Sequence, residues 1–270
     1  MALIHVGFFS QALGMCASCD VILPQKSSRL IGMDTKDTGD KHKVLWLLHG
    51  ASDNHTIWQR RTSIERYAAP LGLAVVMPNA HLSSYADMEH GRKYFTYIAE
   101  ELPKIMRDFF PLSEKREDNY IAGLSMGGAG CLKIGLAKPE NYSAIGCLSA
   151  GANNGNRRKP ANDNPAWAKR MKMIYGDRDL NGTEEDVLGN AKKIIEEGKP
   201  VPRIYHACGV DDFLLQNAHD TRDFFQSFEG NPFDYVYDEG PGAHTWEFWD
   251  DHIQTFLKYL GLEGQDDIRN

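Results

Sequence analysis

A chain of 270 residues, 42% hydrophobic and 25% charged, has an ordinary globular composition and enough length for one large α/β core. Its formal charge of -7 repels a nucleic-acid backbone, and the basic cluster Arg157-Arg158-Lys159 is too short to reverse that. No apolar run approaches the roughly 20 residues of a membrane span, so neither nucleic acid nor a membrane is an expected partner.

The first 18 residues are apolar, but no Lys or Arg precedes the apolar part and Gln11 interrupts it, unlike a secretory leader. They read instead as two strands, residues 4–9 and 17–23, with no helix between them, which implies an antiparallel hairpin at a sheet edge. Cys16-Ala-Ser-Cys19 has metal-ligand spacing, yet residues three apart on a strand face opposite sides and the chain has no second pair of this kind. Five scattered cysteines fit a reducing compartment better than a disulfide framework. Sequons stand at Asn54, Asn141 and Asn181. A glycan on Asn54 would obstruct the loop assigned below to the site, which points to the cytoplasm.

Beyond the hairpin, short apolar runs alternate with helical patterns. Residues 44–48, 73–77, 120–122, 144–148, 203–208 and 233–237 read as strands; 56–69, 94–110, 127–137, 214–228 and 245–260 read as helices. Such alternation predicts an α/β fold, a mostly parallel eight-stranded sheet with helices on both faces, in one domain over residues 1–270. A polar, Pro-containing insertion at 153–202 breaks the rhythm at the level where a lid would cover the sheet. Its clearest element is a helix from about Glu184 to Glu197, with Thr183-x-x-Asp186 as a capping box and Gly198 as the stop. Within it, Asp177, Asp179, Asn181 and Gly182 match the start of a calcium loop, but Leu188 stands where the bidentate Glu belongs, so a turn is expected instead.

The chemistry-bearing stretch is Gly123-Leu-Ser125-Met-Gly127. Tyr120-Ile-Ala leads in as a strand and a small-residue helix follows, the setting a nucleophile elbow requires. A serine hydroxyl is nearly inert at neutral pH unless a base takes its proton and an acid orients that base. In α/β-hydrolases these follow in the order Ser, Asp or Glu, His. Of ten histidines, His244 alone sits in a Gly/Pro-rich loop past the last predicted strand. The acid falls in Gly209-Val-Asp211-Asp212. Motif order leaves both aspartates open; in hydrolases the acid commonly stands three residues past a strand-ending glycine, which selects Asp212. His49-Gly50 after the strand 44–48 has the form of an oxyanion loop, so the backbone N–H of Ala51 is expected to pair with that of Met126.

With these pieces in order, the chain resembles the putative-esterase family of α/β-hydrolases, which includes tributyrin and acetyl esterases, feruloyl esterases and the esterase D or S-formylglutathione hydrolase group. The resemblance rests on Val21-Ile-Leu-Pro24, the loop from His49 to Trp58, the elbow, Cys208-Gly-Val-Asp-Asp212-Phe, and His244-Thr-Trp246-Glu-Phe-Trp249. The tributyrin esterase branch looks nearest. The resemblance implies hydrolysis of a small short-chain acyl ester through Ser125, His244 and Asp212 without metal or cofactor. It also places His49, Ser52 and Trp246 at the substrate and makes a homo-oligomer an expectation. A thioesterase of the S-formylglutathione type, a feruloyl esterase, and an inactive fold that binds an acyl or sugar ligand are the alternatives.

Overall fold

A computed structural model describes residues 1–25, 36, 39–152 and 165–262. The hairpin strands β1 (Ala2–Ser10) and β2 (Met15–Leu23) pair antiparallel from Ala2 opposite Leu23 to Ser10 opposite Met15. Then come β3 (Lys43–Leu48), β4 (Leu73–Pro78), β5 (Asn119–Leu124), β6 (Ala144–Leu148), β7 (Arg203–Gly209) and β8 (Val236–Gly240). They form one eight-stranded sheet in the order β1-β2-β4-β3-β5-β6-β7-β8, in which β2 meets β4 antiparallel and all later pairings are parallel.

The helices are α1 (Ile57–Arg61), α2 (Ile64–Ala68), α3 (Tyr94–Thr96), α4 (Leu102–Phe109), α5 (Met126–Ala137), α6 (Pro165–Tyr175), α7 (Val187–Glu196), α8 (Leu215–Gln226) and α9 (Trp246–Tyr259). Strand side chains alternate between two buried layers, as the period of two requires. Val44, Trp46, Leu48 and Ile121 point to one layer, shared with Met106, Leu132, Ile194 and Phe225 of α4, α5, α7 and α8. Leu45, Leu47, Tyr120 and Ala122 point to the other, shared with Trp58, Ile64, Ile253 and Phe256 of α1, α2 and α9. The α/β-hydrolase fold follows, with the central strands buried on both faces.

Four local boundaries differ from expectation. The helix read over 56–69 breaks between α1 and α2: Thr62 is extended, its hydroxyl donates to Trp58 O, and it accepts the Ile64 N–H. The helix read over 94–110 contains a π turn, Tyr97–Glu101, just ahead of Pro103, whose ring nitrogen has no proton to continue the α ladder. The last strand lies at Val236–Gly240, later than 233–237, because Asn231 and Asp234 take positive φ and turn the chain there. In the insertion, α7 starts at Val187 and not near Glu184. Asp186 is the true cap, accepting the Gly189 N–H, while Thr183 Oγ1 accepts from Glu185 N. Residues 153–164 of the insertion lie outside the described residues.

Candidate active site

Three loops at the C-terminal ends of β5, β7 and β8 converge. Ser125 joins β5 to α5 with φ of 52° and ψ of -118°, a strained backbone for a residue with a Cβ. Close packing holds it there: a Cβ on Gly127 would stand 2.6 Å from Leu48 O, so strand and helix approach as near as they do only because that residue is glycine. The turn is further pinned by Ser125 N donating to Leu148 O at 2.8 Å. The positive end of α5 then lies beneath the exposed side of the hydroxyl.

The loops after β7 and β8 are sewn together backbone to backbone. Val210 N donates to Gly240 O at 3.0 Å and Asp211 N to Gly242 O at 2.9 Å. No side chain would fit between them, since a Cβ on Gly209 would lie 2.3 Å from Gly242 O. This places His244 against Asp212: Nδ1 is 2.9 Å from Oδ2 and 3.0 Å from Oδ1, while Nε2 is 2.9 Å from Ser125 Oγ. A carboxylate can only accept, so Nδ1–H donates to Asp212 and Nε2 is left to accept the serine proton.

Asp212 has a fully buried side chain. Burial alone would raise its pKa, but hydrogen bonds from His244 and from the Leu214 N–H outweigh it and hold the carboxyl below its ordinary value. Asp211, its neighbour, is exposed. Of the two aspartates, Asp212 is the one that lies against His244 Nδ1.

The loop after β3 is held by its own histidine. His49 is fully buried, and both ring nitrogens are occupied: Nε2 accepts the Ala80 N–H at 2.9 Å, so Nδ1–H donates to Gly50 O at 2.7 Å. Burial drives its pKa down to about 4, keeping the ring neutral. With both ring nitrogens engaged, His49 fastens its loop to Gly50 O and Ala80 N. Ser52 is exposed, and Trp246 is half-buried, edge-on to both Trp58 and Trp249. Ala51 and Met126 are both partly accessible, and Met126, as the first residue of α5, has an N–H without an intrahelical acceptor.

Three residues near the site had no role assigned from the sequence, although Phe213 and Trp249 stand in the quoted motifs. Trp249 meets His244 edge-on with ring centroids 5.0 Å apart, and Phe213, 66% exposed, lies against the same imidazole at 4.4 Å. An apolar residue directly after the acid, in a polar loop, was the available signal for Phe213. Tyr85 is fully buried and donates to His49 O at 3.0 Å. Nothing local marks it, since its loop between β4 and α3 reads only as polar.

A strained serine at the strand-to-helix turn, hydrogen-bonded through a histidine to a buried aspartate, defines a serine hydrolase on an α/β-hydrolase fold. Residues 10–260 match the sequence profile of the family described as "Putative esterase", and the chain belongs to that family. An acetyl esterase of Caldicellulosiruptor saccharolyticus is 32% identical over 271 residues, covering 96% of this chain and 98% of that protein. Among solved structures, the substrate-bound fluorophosphonate-binding serine hydrolase FphF of Staphylococcus aureus superposes with a TM-score of 0.82 at 35% identity, covering 96% and 98% of the two chains. The S-formylglutathione hydrolase FrmB of the same organism gives a TM-score of 0.78 at 34% identity over the same shares. The protein is a serine carboxylic ester hydrolase. No helix among the described residues is long and apolar enough to cross a membrane.

Proposed function

We propose that this esterase hydrolyses short-chain, acetyl-type acyl esters by nucleophilic catalysis at Ser125. Ser125 Oγ attacks the ester carbonyl as His244 Nε2 takes its proton. The imidazolium, held by Asp212, returns that proton to the leaving alcohol, and a water molecule releases the acyl group from Ser125 by the same route reversed. The N–H groups of Ala51 and Met126 would receive the oxyanion, each such donor being worth roughly 3 kcal/mol in the transition state. Exposed Ser52 and the rings of Phe213 and Trp246 supply the surroundings of the acyl and alcohol groups.

The observation that carries this reading is the pair of contacts at 2.9 Å linking Ser125 Oγ to His244 and His244 to Asp212. The acetyl preference is supported by the full-length likeness to an acetyl esterase. Likeness to FrmB favours a second reading, a thioesterase acting on S-formylglutathione, by the same machinery. Both are tested by kcat/KM for acetyl, butyryl and octanoyl p-nitrophenyl esters beside S-formylglutathione. The proposal expects acetyl or butyryl to lead; a preference for octanoyl or for the thioester overturns it.

A further inference from the structure

A second cluster of ligating side chains lies at the seam between the β1–β2 hairpin and the loop that follows β3. His5 comes from β1, Asp20 from β2, and His55 from the turn ahead of α1, and one ligand atom of each lies within 4.8 Å of the other two. His5 Nδ1 is 2.6 Å from Asp20 Oδ1, and the rings of His5 and His55 are 5.1 Å apart. The second carboxylate oxygen of Asp20 accepts from Gln59 Nε2 at 2.7 Å, which fixes the carboxylate's orientation while leaving Oδ1 turned toward the histidines. His55 Nδ1 is buried and has no hydrogen-bond partner among the described residues.

An orphaned buried nitrogen costs about 1 to 3 kcal/mol unless something satisfies it, and the ring of His55 shares this cluster with an imidazole and a carboxylate. We propose that His5, Asp20 and His55 bind a divalent transition-metal cation, with zinc the best-matched ion. Two imidazole nitrogens and one carboxylate oxygen suit zinc and disfavour calcium or magnesium, which take oxygen donors. Three protein ligands leave one tetrahedral position for water. Gln59 then does what an outer partner does for a ligating carboxylate, holding it in the orientation the metal needs. The side chain of His5 is 62% exposed, so an ion has a path in from solvent.

The cation would tie the hairpin to the loop carrying Ala51, four residues before His55, so its binding shows as stability whatever the chain's substrate. It plays no part in the serine chemistry and does not rest on the acyl preference proposed above.

Chelator-treated full-length protein titrated with zinc sulfate in a non-coordinating buffer at pH 7.5 tests the site by calorimetry and by melting temperature. The expected result is one zinc ion per chain and a rise in melting temperature. His5→Ala and Gln59→Leu should each weaken binding by about tenfold or more, with circular dichroism showing that the fold is kept. The double variant His5→Ala/His55→Ala should lose the site. Absence of zinc binding by the wild-type chain overturns the proposal, and so does unchanged affinity in the double variant, which would put the ion on other histidines.

Discussion

Asp212 and Asp211 are adjacent in the chain and opposite in environment, and their substitution separates a positioned acid from a solvated charge. Asp212→Asn keeps the side chain's volume but removes the charge that steadies the imidazolium and selects its tautomer. It should lower kcat by roughly 10³ to 10⁴ with little change in KM. Asp211→Asn changes only an exposed carboxylate and should cost less than about tenfold. Steady-state kinetics on one short-chain ester at pH 7 decides between them, and a larger loss at Asp211 would reverse the roles. The positions of Ser125 and His244, which the structure brings within 2.9 Å of each other, were legible in the sequence because an elbow of small residues and a Gly/Pro loop each leave a local signature. The role of His49 was not legible. The His-Gly pair announces a loop, but its tie to Ala80 N crosses 31 residues, and short-range pattern carries no information about that.

At the scale of elements, the loop between β4 and α3 is the largest departure from what periodicity shows. His81, Ser84 and Tyr85 all have positive φ, and none is glycine. Such backbone is kept only where its surroundings over-determine it. The surroundings here are Tyr85 OH on His49 O, and Lys133 of α5, whose Nζ donates to Ser84 O at 2.8 Å and pairs with Glu185 at 2.7 Å. Lys133 and Glu185 are only 1% and 2% exposed. The insertion is therefore fastened to the elbow helix and, through Tyr85, to the loop after β3. Lys133→Met removes the cation paired with the buried carboxylate of Glu185 and the donor to Ser84 O. It should destabilise the protein by about 3 to 5 kcal/mol, read from urea unfolding at pH 7; a loss below about 1 kcal/mol would mean that the pair does not brace this region. In the sequence, Lys133 looks like a solvated helix residue, because a helical face shows its partner only after the insertion has folded onto it. Strands β3 to β7 were legible for the opposite reason: they are covered on both faces and read as mostly apolar runs.

For the whole molecule, two buried neutral histidines make stability depend on pH. Burial lowers the pKa of His49 and of His206 from 6.5 to about 4, in each case against a hydrogen bond to a carbonyl that favours the charged ring. Below pH 6.5 the unfolded chain takes up these protons and the folded chain does not, so each histidine's contribution is intact above pH 6.5 and is lost progressively as pH falls toward 4. The slope approaches about 1.4 kcal/mol per pH unit for each histidine. Urea unfolding at several pH values should show this decline, and His206→Leu should flatten it by about one proton; an unchanged slope in that variant would contradict a neutral buried His206. The chain's central activity is tested most directly by covalent labelling of the intact protein with a fluorophosphonate at pH 7.5, followed by intact mass and peptide mapping. The geometry predicts one adduct per chain on Ser125, loss of esterase activity in step with labelling, and no adduct in a folded Ser125→Ala variant whose turnover is down by about 10⁴-fold or more. An adduct on any other residue, or an alanine variant that keeps a tenth of the wild-type turnover, would contradict it.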